Sequence, residues 1–200
     1  MTPQGIIRTA RTILNDNDPG GYRQEDDELV GYINAGLQEV SILRPDLFQA
    51  VGHIECAPDT VEQALPFSSA QKLVTVIGVH DGPAVTPFDL NAMQAFNRNW
   101  KQATAGEARQ WSAHPGDPLR FYLYPKAPAD TPQLIDVLYI KNPATVGLTD
   151  TITDVPATFE SALVDYVIYR AESKDDENVL NQRAAASYSA FVAKVKGTSQ

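Results

Sequence analysis

His53, His80 and His114 are the first side chains to invite chemistry, because a neutral imidazole exchanges protons near neutral pH and ligates first-row metals. His80, Asp81 and His114 would supply the donors of a metal site. No HxH or HxxxH spacing brings two imidazoles together, so the expectation is three separate, half-exposed histidines and no metal. Ser68, Ser69, Ser112 and Ser161 lack the GxSxG elbow that activates a serine, and Gly20-Gly21 is not followed by the GK[ST] that cradles a phosphate. They read as turn and cap residues. Cys56 has no neighbour that would lower its pKa and reads as a small buried apolar side chain. As the single cysteine it forms no intrachain disulfide, and without a CxxC pair no structural zinc is expected, which fits a reducing compartment. Asp165 stands in an apolar helical run at the wrong spacing to pair with Arg170, so its partner is expected elsewhere in the core or across an interface. No catalytic residue and no cofactor emerges. The rival reading from another class is a small enzyme assembled from His80, His114 and Asp165.

A second constellation, Arg98, Trp100, Lys101, Arg109 and Trp111, sets cations and indoles in one loop region. Such a mixture can stack on and clamp nucleic acid, and it is equally the composition of a protein–protein hot spot. Charge decides between them. The chain carries −9, spread along its length with no basic face to neutralise phosphates. A protein interface is therefore expected, with no tight DNA binding and no attraction to an anionic membrane surface.

Helices at both ends must position these groups. Pro3 to Asn15 places Ile6, Ile7, Ala10, Ile13 and Leu14 at helical spacing, and the turn cluster through Gly21 ends that run. The next run, from Glu25 to Phe48, has Asp26, Asp27 and Glu28 at its start and a stripe of Leu29, Ile33, Leu37 and Val40, with Pro45 as its stop. Pro156 opens a helix through Phe159, Leu163, Tyr166 and Arg170 whose Val164, Val167, Ile168 and Ala171 make it apolar on most sides, hence buried or oligomer-facing. After the charged break Lys174–Glu177, a narrower stripe of Leu180, Ala184, Tyr188, Phe191 and Val195 packs on one side only.

Between these helices the pattern turns to strands. Segments 53–57, 61–66 and 72–80 suggest a small meander, residues 88–100 a short helix through Leu90, Met93 and Phe96, and 119–124 with 135–140 a second strand pair. Lys101 to Pro118 reads as a loop that is mobile or ordered by a partner. The fold class is α+β: a helical bundle from residues 1–49 and 149–196, with 50–147 as a β-rich insertion, in a single domain of 200 residues whose 43% apolar content suffices for a core. With no secretory signal at the N-terminus and no run of about 20 apolar residues, the protein is expected to be soluble and intracellular when made.

Four phrases in order, DDELVGYINAGLQEVSILRPDLF, EQALPFSSAQKLVTVIGVHDG, RFYLYPKAP and ALVDYVIYRAESKD, resemble the head-to-tail adaptor (neck) proteins of tailed bacteriophages, a family similar to tail tubular protein A of short-tailed phages. The resemblance runs from about Glu25 to Val195 and carries no catalytic motif. It implies a structural virion protein at the head-tail junction, assembled by self-association into a ring, commonly a dodecamer, under the portal protein. Such a ring extends the DNA channel and presents a landing surface to the next tail component. An acidic, weakly repulsive lumen lets DNA pass without tight binding. The C-terminal part of such adaptors docks on the portal, so Phe191 and Val195 are candidate apolar anchors and Lys194 and Lys196 candidate polar contacts. Another virion tail-completion component is the alternative within the same class.

Overall fold

The computed structural model of the protein describes residues 1–174 and 182–197. It is a mixed α+β structure with five α-helices and two sheets among the described residues. The chain divides into two compact units, one from Met1–Phe48 with Pro143–Gln200 and one from Gln49–Asn142.

In the first unit, α1 (Pro3–Leu14) starts where Thr2 accepts a hydrogen bond from the Gly5 N–H and ends at Asn15, whose left-handed φ of 55° is tolerated by a short polar side chain. α2 (Asp26–Leu43) carries three carboxylates in its first turn, where the exposed peptide N–H groups favour negative charge. It ends two residues before Pro45, which opens a 3₁₀ turn. α4 (Glu160–Lys174) packs against α1, α2 and α5 (Gln182–Lys196), and so buries Ala162, Leu163, Val164, Tyr166, Val167, Ile168 and Ala171. The many-sided apolar pattern of this helix reflects its central place. On α5 only Ala184, Phe191 and Val195 are fully buried, as a one-sided stripe requires. Leu180 and Asp175–Glu177 of the charged break lie outside the described residues. The returning segment before α4 is pinned by Asn34, whose side-chain amide exchanges two hydrogen bonds of 2.9 Å with the backbone of Val146.

The second unit holds β1 (Gln49–Glu55), β2 (Glu62–Ala64), β3 (Ala70–Val79), β4 (Thr86–Pro87), α3 (Leu90–Phe96), β5 (Gln110–Ala113), β6 (Arg120–Tyr124) and β7 (Leu134–Lys141). The expected meander does not form. β1 and β3 both pair antiparallel with β7, giving the order β1-β7-β3, while β2 joins β6 in a second sheet ordered β2-β6-β5-β4. β6 and β7, expected to pair, therefore lie in different sheets. Alternation of apolar residues fixes which face of a strand is buried, not which strand lies beside it. One core joins the sheets through Ile54, Leu73, Val76, Trp111, Phe121, Leu123, Ile135 and Val137. Tyr122 points to the other face of β6 and is covered by Trp100 and Val61, so this short strand is buried on both sides. The expected loop from Lys101 to Pro118 is interrupted by β5, held between β4 and β6.

Candidate functional site

The cation and indole constellation separates by burial. Trp111 belongs to the main β core, and Trp100 meets Tyr122 edge-on with ring centroids 5.4 Å apart. Both indoles are interior residues of the subunit, where the sequence reading offers them as interface residues. Arg98, Lys101 and Arg109 remain at the surface. The Lys101 ammonium lies 5.3 Å from the Tyr122 ring centre and 5.6 Å from that of Trp100, a cation–π arrangement that anchors its stem. What sequence reasoning missed is Phe96. The sequence places it in a short helix through Leu90 and Met93, and it is 92% exposed at the end of α3, two residues before Arg98. Helical spacing gave no signal, because Leu90 and Met93 turn toward the Trp100–Tyr122 cluster while the helix stops too early to bury Phe96.

The C-terminal set separates in the same way. Phe191 and Val195 are 0% exposed, and the Phe191 ring packs 4.9 Å from that of Tyr166. Both complete the core of the helical unit. Lys194 reaches Asp165 at 2.5 Å and the Ser161 carbonyl at 3.4 Å, which supplies the partner that Asp165 lacked in its own helix. Lys196 is exposed, and Thr198–Gln200 lie outside the described residues.

The residues considered for chemistry each have partners within their own unit. Asp165 is occupied by Lys194, and His114 sits beside the Tyr122 ring and accepts the Gly116 N–H. Burial pushes the Cys56 thiol up to about 12, so it is held in the un-ionised, unreactive form. The histidines do differ from expectation. His53 and His80 come together on Asp136, each with Nδ1 on the same carboxylate oxygen, at 2.6 and 2.9 Å. The hydrogen bond from His53, followed by that from His80, holds the Asp136 carboxyl below its ordinary range against the opposing effect of burial. His80, Asp81 and His114 do not form a common set. Among the described residues His53, His80 and Asp136 are the group of three donors with metal-ligating reach.

A family model described as SU10 adaptor protein matches residues 1–199. The chain belongs to the SU10 adaptor protein family. No curated protein matches the chain. An SU10 adaptor is a structural bacteriophage protein rather than an enzyme, so its working parts are surfaces. Among the described residues of this adaptor, Phe96 on α3 and Ile42 on α2 are the most exposed large apolar side chains, one in each unit. No described helix is long and apolar enough to cross a membrane.

Proposed function

We propose that this SU10 adaptor is a neck protein of the virion, similar to tail tubular protein A, that adds as a ring between portal and tail and extends the DNA channel. The match of residues 1–199 to the adaptor family carries this reading. In it the helical segments form a bundle and the β-rich middle is an insertion, the whole acting as a single adaptor domain. The ring is a dodecamer built from heterologous contacts, in which one patch on each subunit meets a different patch on its neighbour. Portal, neighbouring copies and the next tail component are the partners, and the protein resides in host cytoplasm until it joins the particle.

Two features support a role through surfaces. Phe96, close in sequence to the exposed Arg98 and Lys101, has with them the aromatic-plus-cation composition of a hot spot, with Arg109 as a further surface cation of the same unit. At the C-terminus, Lys196 is the exposed polar contact, while Phe191, Lys194 and Val195 shape the helix end that carries it. The net charge of −9 suits DNA that slides through without being held. Mixing the purified protein with the portal encoded in its own genome should produce an added annulus in electron micrographs and co-sedimentation of the two. A portal that binds none of it, in a mixture where a tail-completion role still allows binding to tail proteins, would leave only the second reading.

A further inference from the structure

We infer that His53, His80 and Asp136 form a binding site for one first-row divalent metal ion of the zinc type. The three residues come from three neighbouring chain segments of one sheet. His53 on β1 lies directly opposite Asp136 on β7 in the antiparallel register. His80 follows β3, and its backbone N–H donates to the Leu134 carbonyl at 2.9 Å, which fixes it beside the same strand. The backbones of all three ligands are therefore held by sheet hydrogen bonds before any ion arrives, and preorganisation of this kind favours binding.

The side chains converge as a ligand set must. Their donor atoms lie within 4.8 Å of one another, and the two imidazole rings sit 4.4 Å apart, tilted by 58°. Both Nδ1 atoms aim at Oδ1 of Asp136, so two ring N–H groups compete for one oxygen. An ion in their place would take a lone pair from each nitrogen and one from the carboxylate. Bonds of about 2.0–2.2 Å in tetrahedral geometry set donors about 3.3 Å apart, so the present spacings of 2.6 and 2.9 Å need to open by only about half an ångström. The His53 side chain, 57% exposed, has room to make that adjustment.

Two imidazoles and one carboxylate suit zinc, nickel, cobalt or copper and do not suit magnesium or calcium, which prefer oxygen throughout. Behind His80, the exposed Asp81 carboxylate lies 3.7 Å from Nε2, beyond hydrogen-bond distance but near enough to swing into the place of an outer-shell acid. Three protein ligands leave the fourth position open to water. Sequence spacing hid the set, because 83 and 56 residues separate His53 and His80 from Asp136.

Calorimetric titration of the full, chelator-stripped protein with zinc chloride tests the site. One ion per chain should bind with micromolar or tighter affinity, magnesium should give no saturable heat, and cobalt should give the visible absorption of a four-coordinate site. His80→Ala and Asp136→Asn should each weaken zinc by about tenfold or more, and His114→Ala should leave it unchanged. Zinc should also raise the melting temperature of the parent and not of His80→Ala. Circular dichroism checks each variant, and should Asp136→Asn fail to fold, His53→Ala, altered at an exposed ring, replaces it. Absence of saturable zinc binding, equal binding of magnesium, or zinc affinity unmoved in folded His53→Ala and His80→Ala would each overturn the site and leave an ordinary hydrogen-bonded cluster across strands.

Discussion

Arg11 brings a full charge into the helical unit while only 5% exposed, and both of its terminal nitrogens find oxygen partners. Its guanidinium meets Asp16 at 2.5 Å, the Gln24 carbonyl at 2.8 Å and Asp26 at 2.8 Å, with its centre 3.5 Å from that of the Tyr22 ring. The turn cluster after α1 is thus ordered by a buried ion pair, since Asp16 also is 5% exposed. Removing one partner strands the other in low dielectric. Arg11→Met should cost about 3–5 kcal/mol in urea unfolding, and Asp16→Asn added to it should recover part of that loss. Cys56 yields a second expectation. Its thiol, raised from 9.0 to about 12 by burial, should resist iodoacetamide at pH 8 in the native protein and react fully in denaturant. The linkage has a definite sign: a group whose folded pKa is raised contributes stability that is present below its unfolded value and lost as pH rises. Cys56→Ala should accordingly flatten the fall in stability between about pH 9 and pH 12, measured as denaturation midpoints across that window.

At the scale of elements, α2 carries two glycines with opposite prospects. A Cβ on Gly31 meets nothing within 4 Å, so Gly31→Ala should stabilise the protein by roughly 0.5–1 kcal/mol through helix propensity. A Cβ on Gly36 would sit 3.0 Å from the Tyr166 ring and 3.2 Å from Leu163, because α2 and α4 approach closely there. Gly36→Val should destabilise by about 1–3 kcal/mol, as overpacking forces the helices apart. Thermal melts of the two variants should move in opposite directions. In the β-rich unit the same logic assigns Trp100 its role: it covers the outer face of β6, so its aromatic ring stabilises a strand and leaves the surrounding cations to face solvent.

For the whole molecule, assembly should depend on side chains that the isolated chain does not need. Phe96→Ser and Lys196→Glu alter exposed positions and should leave the melting temperature within experimental error of the parent. Under the adaptor reading each should weaken co-sedimentation with the portal or abolish the annulus. Lys194→Glu serves as a contrast, since it sets a carboxylate against Asp165 inside the chain's own fold. Its effect on assembly should come with lowered thermal stability. Unchanged portal binding by both Phe96→Ser and Lys196→Glu would place the contact surface elsewhere.

Much of the secondary structure was legible in the sequence because it is written locally. The stripe of Leu29, Ile33, Leu37 and Val40 marks a buried helix face whatever packs on it, and Asp26–Glu28 and Pro45 mark that helix's ends. The many-sided apolar pattern of α4 implied a helix buried or facing another copy, and packing within the unit decided for burial. The family resemblance was legible too, since it rests on phrases in order. Partnership was not legible. β1 and β3 both choose β7, and the pleat that alternates Ile135, Val137 and Tyr139 inward says nothing about which strands lie on either side. For the same reason the junction of His53 and His80 on Asp136, the pairing of Lys194 with Asp165 and the burial of Trp100 and Trp111 were settled only by the tertiary structure. Periodicity is a property of neighbours along the chain, whereas a site is made by residues far apart in sequence that packing and sheet hydrogen bonding bring within a few ångströms.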